Sequence, residues 1–261
     1  MGEVVTTLGI IGVTQARPRH ADELPILFLH GVGSDKSVWQ PQIEEFGHRQ
    51  HVIAADYPGY GESDFRPDAT RDDYAAAMLA LLDTLEIERA HICGLSLGGV
   101  IAIAMAAKAP DRIASLILAD TFAVHPDGQA IHDRSITAAQ EMGMAALAEA
   151  RVDALLGKEP PPGLRDKVIL TMAQIPLAAY RLGARAVWLA DQRERAAAIF
   201  APTLIVCGKE DAITPPALSD ELAGLIPHAR SAFISGAGHL ANAERPAAFN
   251  RLLHEHLETV D

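Results

Sequence analysis

The strongest constraint on the fold is a series of short, largely apolar runs, each closed by a turn-forming or polar residue. Ile26–Leu29 runs into His30-Gly31, His51–Ala54 toward Asp56, and Ala90–Cys93 into Gly94. Ser115–Ala119 runs into Asp120, Thr203–Cys207 into Gly208, and Ser231–Ile234 forms a last short run. Runs of this length with little polar alternation suit strands buried on both faces of a parallel sheet. Helical patterns fall between them at Tyr74–Leu85, Leu97–Lys108, Ala217–Leu225 and Ala247–Leu257. The alternation predicts an α/β fold with a mostly parallel central sheet flanked by helices. Val4–Val13 contains two β-favouring pieces split by Gly9 and Gly12, which predicts an antiparallel hairpin at the sheet edge.

One region breaks the alternation. From about Asp127 to Ala198 there is no strand-like run, and Ala-rich helical spacing covers Ile136–Leu156, Arg165–Gln174 and Ala178–Ile199. Pro160-Pro161-Pro162-Gly163 interrupts it as a turn. Strand–helix units resume at Thr203, so the stretch reads as an insertion in one domain. The expected division is 1–124 core, 125–199 helical insertion and 200–261 core. A chain of 261 residues with 49% hydrophobic content can build one sizeable core.

Charge and composition narrow the partners. The formal net charge is −12 with no Lys/Arg-rich run, so a phosphate backbone would be repelled and a nucleic-acid role is not expected. The longest apolar stretch, Val100–Ala107, is far too short to cross a bilayer, so no membrane partner is expected either. The N-terminal residues lack the charged and apolar segments of a secretory leader, and the expected location is the cytoplasm. Cys93 and Cys207 both lie in strand-like runs and read as buried free thiols; no Cys/His spacing suggests a zinc site.

The stretch richest in chemistry is Gly94-Leu95-Ser96-Leu97-Gly98-Gly99, a G-x-S-x-G placed between a predicted strand and a predicted helix. So sharp a turn strains the serine backbone, and glycines at 94 and 98 remove the clash that bulkier neighbours would make. The Ser96 hydroxyl is then lifted above the sheet, and the Leu97 amide points to the same spot from the helix N-terminus. Neither dinucleotide nor phosphate-loop glycine patterns follow a strand here, so no cofactor is expected.

A serine nucleophile needs a base and an acid to orient it. His239, in the Gly-rich loop Ser235–His239 after the last strand, is the preferred base. His30 is the alternative, though it reads better as a loop histidine bonded to nearby backbone. Two aspartates follow core strands and could reach the imidazole: Asp211, in Gly208-Lys209-Glu210-Asp211, and Asp120. The order Ser…acid…His fits either, and Asp211 is preferred because the turn after its strand is the usual place for the acid. His20, His48 and His51 flank loops and strand ends, while His254 and His256 are expected at the surface of the C-terminal helix.

Together these pieces resemble the α/β-hydrolase superfamily along nearly the whole chain. The resemblance rests on His30–Gly33, Asp56–Ser63, Gly94–Gly99, Gly208–Asp211 with Thr214-Pro215-Pro216, and Gly236–His239 followed by Glu244-Arg245-Pro246. It implies an α/β-hydrolase fold whose helical insertion caps the site. It also implies an oxyanion hole made by the backbone amides of Val32 and Leu97. Within the superfamily the chain is similar to the 3-oxoadipate enol-lactonase and carboxylesterase branch, on the Gly-Leu-Ser-Leu-Gly-Gly elbow, Gly143–Ala148 and Ala201–Leu204. It departs from enol-lactonases at His132-Asp133-Arg134, where a tryptophan is expected.

The function this implies is a serine hydrolase of carboxylic esters or lactones, working through Ser96, His239 and Asp211 without metal or organic cofactor. The expected partner is a small ester or lactone, and monomer and homodimer both stay open. Alternatives on the same fold are a carbon–carbon bond hydrolase, a cofactor-free perhydrolase, and a non-catalytic ligand-binding protein. For substrate contacts the expected residues are His30, Phe122, His125, Met144 and Trp188, around an aliphatic, Ala-lined pocket. Trp39 reads as packing.

Overall fold

The structure, a computed structural model, describes residues 2–19 and 23–260. His20 lies outside these residues. The predicted hairpin is β1 (Gly2–Thr6) and β2 (Gly9–Ala16). After β3 (Ile26–Leu29), a 3-10 turn over Lys36–Trp39 leads into α1 (Gln40–Phe46), and β4 (Val52–Ala55) follows. Next comes α2 (Arg71–Thr84), opened by a reciprocal capping box in which Thr70 and Asp73 bond each other's backbone amides. The centre of the sheet is β5 (Ala90–Leu95), α3 (Leu97–Lys108) and β6 (Ile113–Ala119).

The insertion then supplies α4 (Gly128–Leu155), α5 (Leu164–Ala173), α6 (Leu177–Trp188) and α7 (Arg193–Ala197). The chain returns through β7 (Thr203–Gly208), α8 (Pro216–Leu225), β8 (Arg230–Ile234), α9 (Ala241–Glu244) and α10 (Pro246–Leu257). The alternation of strands and helices, with a helical insertion after β6, is the one expected from the sequence.

The eight strands lie in the order β1-β2-β4-β3-β5-β6-β7-β8. Pairing is antiparallel for β1–β2 and β2–β4 and parallel from β4 to β8. Because successive side chains in a strand point to opposite faces, each buried strand feeds two cores. Leu27 and Leu29 of β3 pack into the core that also holds α2 and α3. Ile26 and Phe28 pack into the other, with Phe46 of α1 and Phe249 and Leu253 of α10. Burying a side chain such as Phe28 contributes about 2–3 kcal/mol. This two-faced burial is why the strands read as unbroken apolar runs.

The Asp56–Ser63 stretch has a structural role beside the His30 loop. Asp56 is fully buried and accepts from the Lys36 amide at 2.8 Å and the Lys36 ammonium at 2.6 Å. Glu62 takes the same ammonium at 2.6 Å. Gly61 has φ +50 and lies so close to the Asp56 carboxylate that a Cβ there would meet it at 2.0 Å. Only glycine satisfies both demands.

Three details depart from the sequence reading. The stretch read as one helix from Ile136 is broken inside α4 at Gly143, where φ is 79 and ψ is 165. The stretch Ala178–Ile199 is also two helices. Between them Asp191 bridges to Val124 and the Gln192 amide donates to Ala123 O at 2.9 Å, which ties the end of the insertion to its beginning. His256 is buried at 2% exposure, not at the surface, because it falls on the same face of α10 as Phe249 and Leu253.

Candidate active site

The ends of β3, β5, β6, β7 and β8 converge at one edge of the sheet, where open α/β sheets place their ligands. Ser96 stands there between the last residue of β5 and the first of α3, at φ 54 and ψ −111. A serine rarely adopts positive φ, and the surroundings hold it in place. Its amide donates to Ala119 O at 2.8 Å, and Thr121 Oγ1 donates to its carbonyl at 2.8 Å. A Cβ on Gly94 would meet the Gly98 backbone at 2.3 Å, and one on Gly98 would meet Leu29 O at 2.1 Å. The two glycines therefore let strand, turn and helix close on one another. The side chain of Ser96 faces a cavity that His239 also lines. Among the described residues no side chain or backbone group hydrogen-bonds its hydroxyl.

His239 is held at three points. Its amide donates to Leu155 O at 2.9 Å, its Nδ1 is 2.9 Å from Asp211 Oδ2, and Thr214 Oγ1 is 3.3 Å from the same nitrogen. With Nδ1–H donating to the carboxylate, Nε2 keeps its lone pair. Asp211 collects further donors: the Ile213 amide at 2.8 Å, the Thr214 amide at 2.9 Å and the Thr214 hydroxyl at 2.6 Å. Burial works to raise the Asp211 pKa, but the His239 imidazole and the hydrogen bonds outweigh it and hold the carboxyl below its ordinary value.

Asp120 is placed differently, and its candidacy as the orienting acid is corrected here. Its oxygens accept from the Gly208 amide at 2.8 Å and the Ala241 amide at 3.3 Å, and it makes no bond to His239. It sits fully buried at φ 46 and fastens β7 to the start of α9. Burial, and then the neighbouring Asp211 charge, push its pKa well above the usual carboxylate range. The pair therefore divides the charge: Asp211, with more donors, carries it. Asp120, Asp211 and the Cys207 thiol offer ligand atoms within 4.8 Å of one another, but both carboxylates are already engaged by these bonds.

The two expected oxyanion donors flank Ser96. Leu97 is the first residue of α3, where no preceding turn supplies an acceptor. Val32 lines the cavity, and the loop that carries it touches the serine: a Cβ on Gly31 would lie 3.5 Å from Ser96 Cβ. The Val32 amide donates to no backbone or side-chain acceptor among the described residues.

Of the expected substrate contacts, Trp188 lines the cavity and four residues do not. His30 is fully buried; its Nδ1 is 2.8 Å from Gly31 O and its ring packs on Tyr57 and Tyr60. Burial lowers its pKa, against the Asp56 charge. Phe122 lies behind Trp188, stacked at a centroid distance of 5.9 Å, and so shapes the wall without reaching the cavity. His125 packs edge-on against the same two rings. Met144 follows the Gly143 break and joins the buried core of the insertion.

The cavity has Val32, Val38, Leu155, Val168, Met172 and Ile213 among its walls, but Ala243 is the one alanine that lines it among the described residues. Sequence reasoning missed the polar residues Arg151, Lys167 and Tyr180 there, and the hydroxyls of Ser34, Ser37 and Thr171. It also assigned no role to Thr214. Arg151 and Tyr180 lie in helical stretches read only for their apolar spacing, and no motif marks them.

Residues 25–246 match the alpha/beta hydrolase fold family, and the chain belongs to that family. It is similar to RutD of Azorhizobium caulinodans, provisionally named a carbamate hydrolase, at 34% identity over 90% of this chain and 91% of that protein. It is 29% identical to 3-oxoadipate enol-lactonase 1 of Acinetobacter baylyi, over 90% of this chain and 89% of the relative. Among solved structures, the enol-lactonase of Burkholderia xenovorans LB400 superposes with a TM-score of 0.92 at 28% identity, covering 98% of this chain and all of that one. These relatives bear the names of hydrolases.

Proposed function

We propose that the protein is a serine hydrolase that opens carboxylic esters or lactones through an acyl-enzyme. The observation that carries this reading is the His239 Nδ1–Asp211 Oδ2 contact of 2.9 Å, with the imidazole facing the cavity that holds the strained Ser96. In this mechanism Ser96 Oγ attacks the acyl carbonyl while His239 Nε2 accepts its proton. The carbonyl oxygen becomes an oxyanion, taken by the Val32 and Leu97 amides; one such donor contributes on the order of 3 kcal/mol to the rate. His239 then protonates the departing alkoxide, or the enolate of an enol-lactone. Water enters and adds to the acyl carbon as it gives a proton to His239; His239 then returns that proton to Ser96 Oγ as the acyl–serine bond breaks, and the acid leaves. Asp211 keeps Nδ1–H in place and stabilises the imidazolium that forms in each half.

The similarity to enol-lactonases supports the lactone version, and the similarity to RutD makes carbamates the next class to assay. A panel of enol-lactones, p-nitrophenyl esters, carbamates and a vinylogous diketone separates these from carbon–carbon bond hydrolysis. The expected result is turnover of esters or lactones, lost at least about 10³-fold in Ser96→Ala. A fluorophosphonate should label Ser96. Unchanged turnover in Ser96→Ala, or no labelling of folded protein, overturns the reading.

A further inference from the structure

The cavity over Ser96 carries two cationic side chains, Arg151 and Lys167, and no carboxylate side chain among its lining residues. This is unexpected in a chain whose net charge is −12, where an arginine has acidic partners within easy reach. Arg151 does not take one. On its own helix Glu149 and Asp153 both pair with Arg165, at 3.8 and 3.0 Å. Arg151 instead reaches two neutral hydroxyls through Nη1: Tyr180 Oη at 3.0 Å and Ser135 Oγ at 3.4 Å. Those hydroxyls are themselves bonded at 2.7 Å and are buried, so they fix the guanidinium without cancelling its charge. Nε and Nη2 make no hydrogen bond among the described residues. Lys167 is exposed and donates to Ser37 O at 3.3 Å.

A guanidinium held by neutral partners, with donors to spare, matches the two oxygens of a carboxylate. Val32, Val38, Leu155, Val168, Met172 and Ile213 give the wall an aliphatic stretch that accommodates a short hydrocarbon chain, beside the hydroxyls of Ser34, Ser37 and Thr171. The geometry points to Arg151 as a specificity-determining residue that binds the free carboxylate of an anionic substrate. On the ester reading above, the substrate class is then the half-ester of a short dicarboxylic acid. Tyr180 and Ser135 are positioning residues that aim the guanidinium. Lys167 adds a second positive charge along the same wall and favours the arrival of an anion.

Two measurements test this separately from the hydrolase reading. Calorimetric titration of Ser96→Ala with monomethyl glutarate and with dimethyl glutarate compares a monoanion with its neutral counterpart, without turnover. The monoanion should bind at least about tenfold more tightly, and the added change Arg151→Met should abolish the difference; equal binding of the two esters overturns the inference. With the unmodified protein, mono-p-nitrophenyl adipate and methyl p-nitrophenyl adipate should differ at least about tenfold in kcat/KM, in favour of the anion. Arg151→Met should collapse that ratio toward one, Arg151→Lys should retain part of it, and Tyr180→Phe should lower it less than Arg151→Met. A ratio that survives Arg151→Met overturns the role of this residue. If the anion preference appears in the titration while fluorophosphonate labelling and all turnover fail, the hydrolase reading falls and the carboxylate site stands.

Discussion

At the scale of single residues, two buried aspartates sit side by side and do different work. Asp211 is surrounded by four donors and faces His239; Asp120 accepts two backbone amides and faces none of the chemistry. Asp211→Asn should therefore lower kcat on an ester by about 10³–10⁴-fold, because the amide disfavours the required imidazole tautomer. Asp120→Asn should cost tenfold or less in kcat and act mainly on stability, since its NH₂ would face the Ala241 amide, donor to donor. Steady-state kinetics and melting of both variants decide it. The opposite ranking would move the acid role to Asp120. Thr214 shows what a motif leaves out: its place beside Pro215-Pro216 was visible, but its hydroxyl bond to Asp211 depends on how the loop folds back.

At the scale of elements, the sharp junction of β5 and α3 brings backbone against backbone. A methyl group on Gly98 must displace the backbone of Leu29, which cannot yield as a flexible side chain would. Gly98→Ala should cost about 2–3 kcal/mol in urea unfolding. Gly224 in α8 is the contrasting case, with nothing within 4 Å of an added Cβ. Gly224→Ala should stabilise by about 0.5–1 kcal/mol, from helix propensity alone. Equal effects in the two variants would refute this account of the junction.

The same contrast explains how much was legible in the sequence. The strands and the elbow were readable because burial on both faces and one strained turn each demand particular residue types. The hairpin β1–β2, the parallel strands and the helices α3, α8 and α10 fall where the spacing places them, within a few residues. The insertion was readable only as helical. Its break at Gly143 and the gap before α7 depend on tertiary ties such as Gln192 to Ala123, which leave no periodic trace. Ser96, His239 and Asp211 could be named as candidates because each follows a strand-like run, and the structure puts Ser96 and His239 on one cavity with Asp211 bonded to His239. Of the expected pocket residues Trp188 lines the cavity, but Phe122 and His125, near the site in sequence, pack against its ring away from the cavity. Arg151 enters from a helix far along the chain.

At the scale of the whole molecule, histidines make the fold sensitive to acid, since burial lowers His30, His51, His125 and His256 alike. His51 and His256 are each lowered to about 4, first by burial, with Arg17 adding to it at His51 and Arg230 and His91 at His256. Their unfolded value lies near 6.5. As pH falls below about 6.5 the unfolded chain takes up these protons first, so stability declines down to about pH 4. Below that both states are charged and the loss levels off. Allowing for partial solvent access, the two should remove roughly 1 kcal/mol each by pH 5. Tm should fall between pH 7.5 and pH 5, and fall less in His256→Leu than in the unmodified protein, whatever its starting value. Parallel declines would assign the acid sensitivity elsewhere.

The segment that leaves the long insertion helix is fastened to the loop of the candidate base. Leu155 O receives the His239 amide, and Glu244 receives the amides of both Gly157 and Gly238, at 2.7 and 2.9 Å. Insertion and candidate base are thus one mechanical piece. Remodelling α5 or α6 can alter which molecules fit while the imidazole stays put. A transplanted insertion that lacks this clasp would arrive with its chemistry out of alignment, however well its walls were chosen.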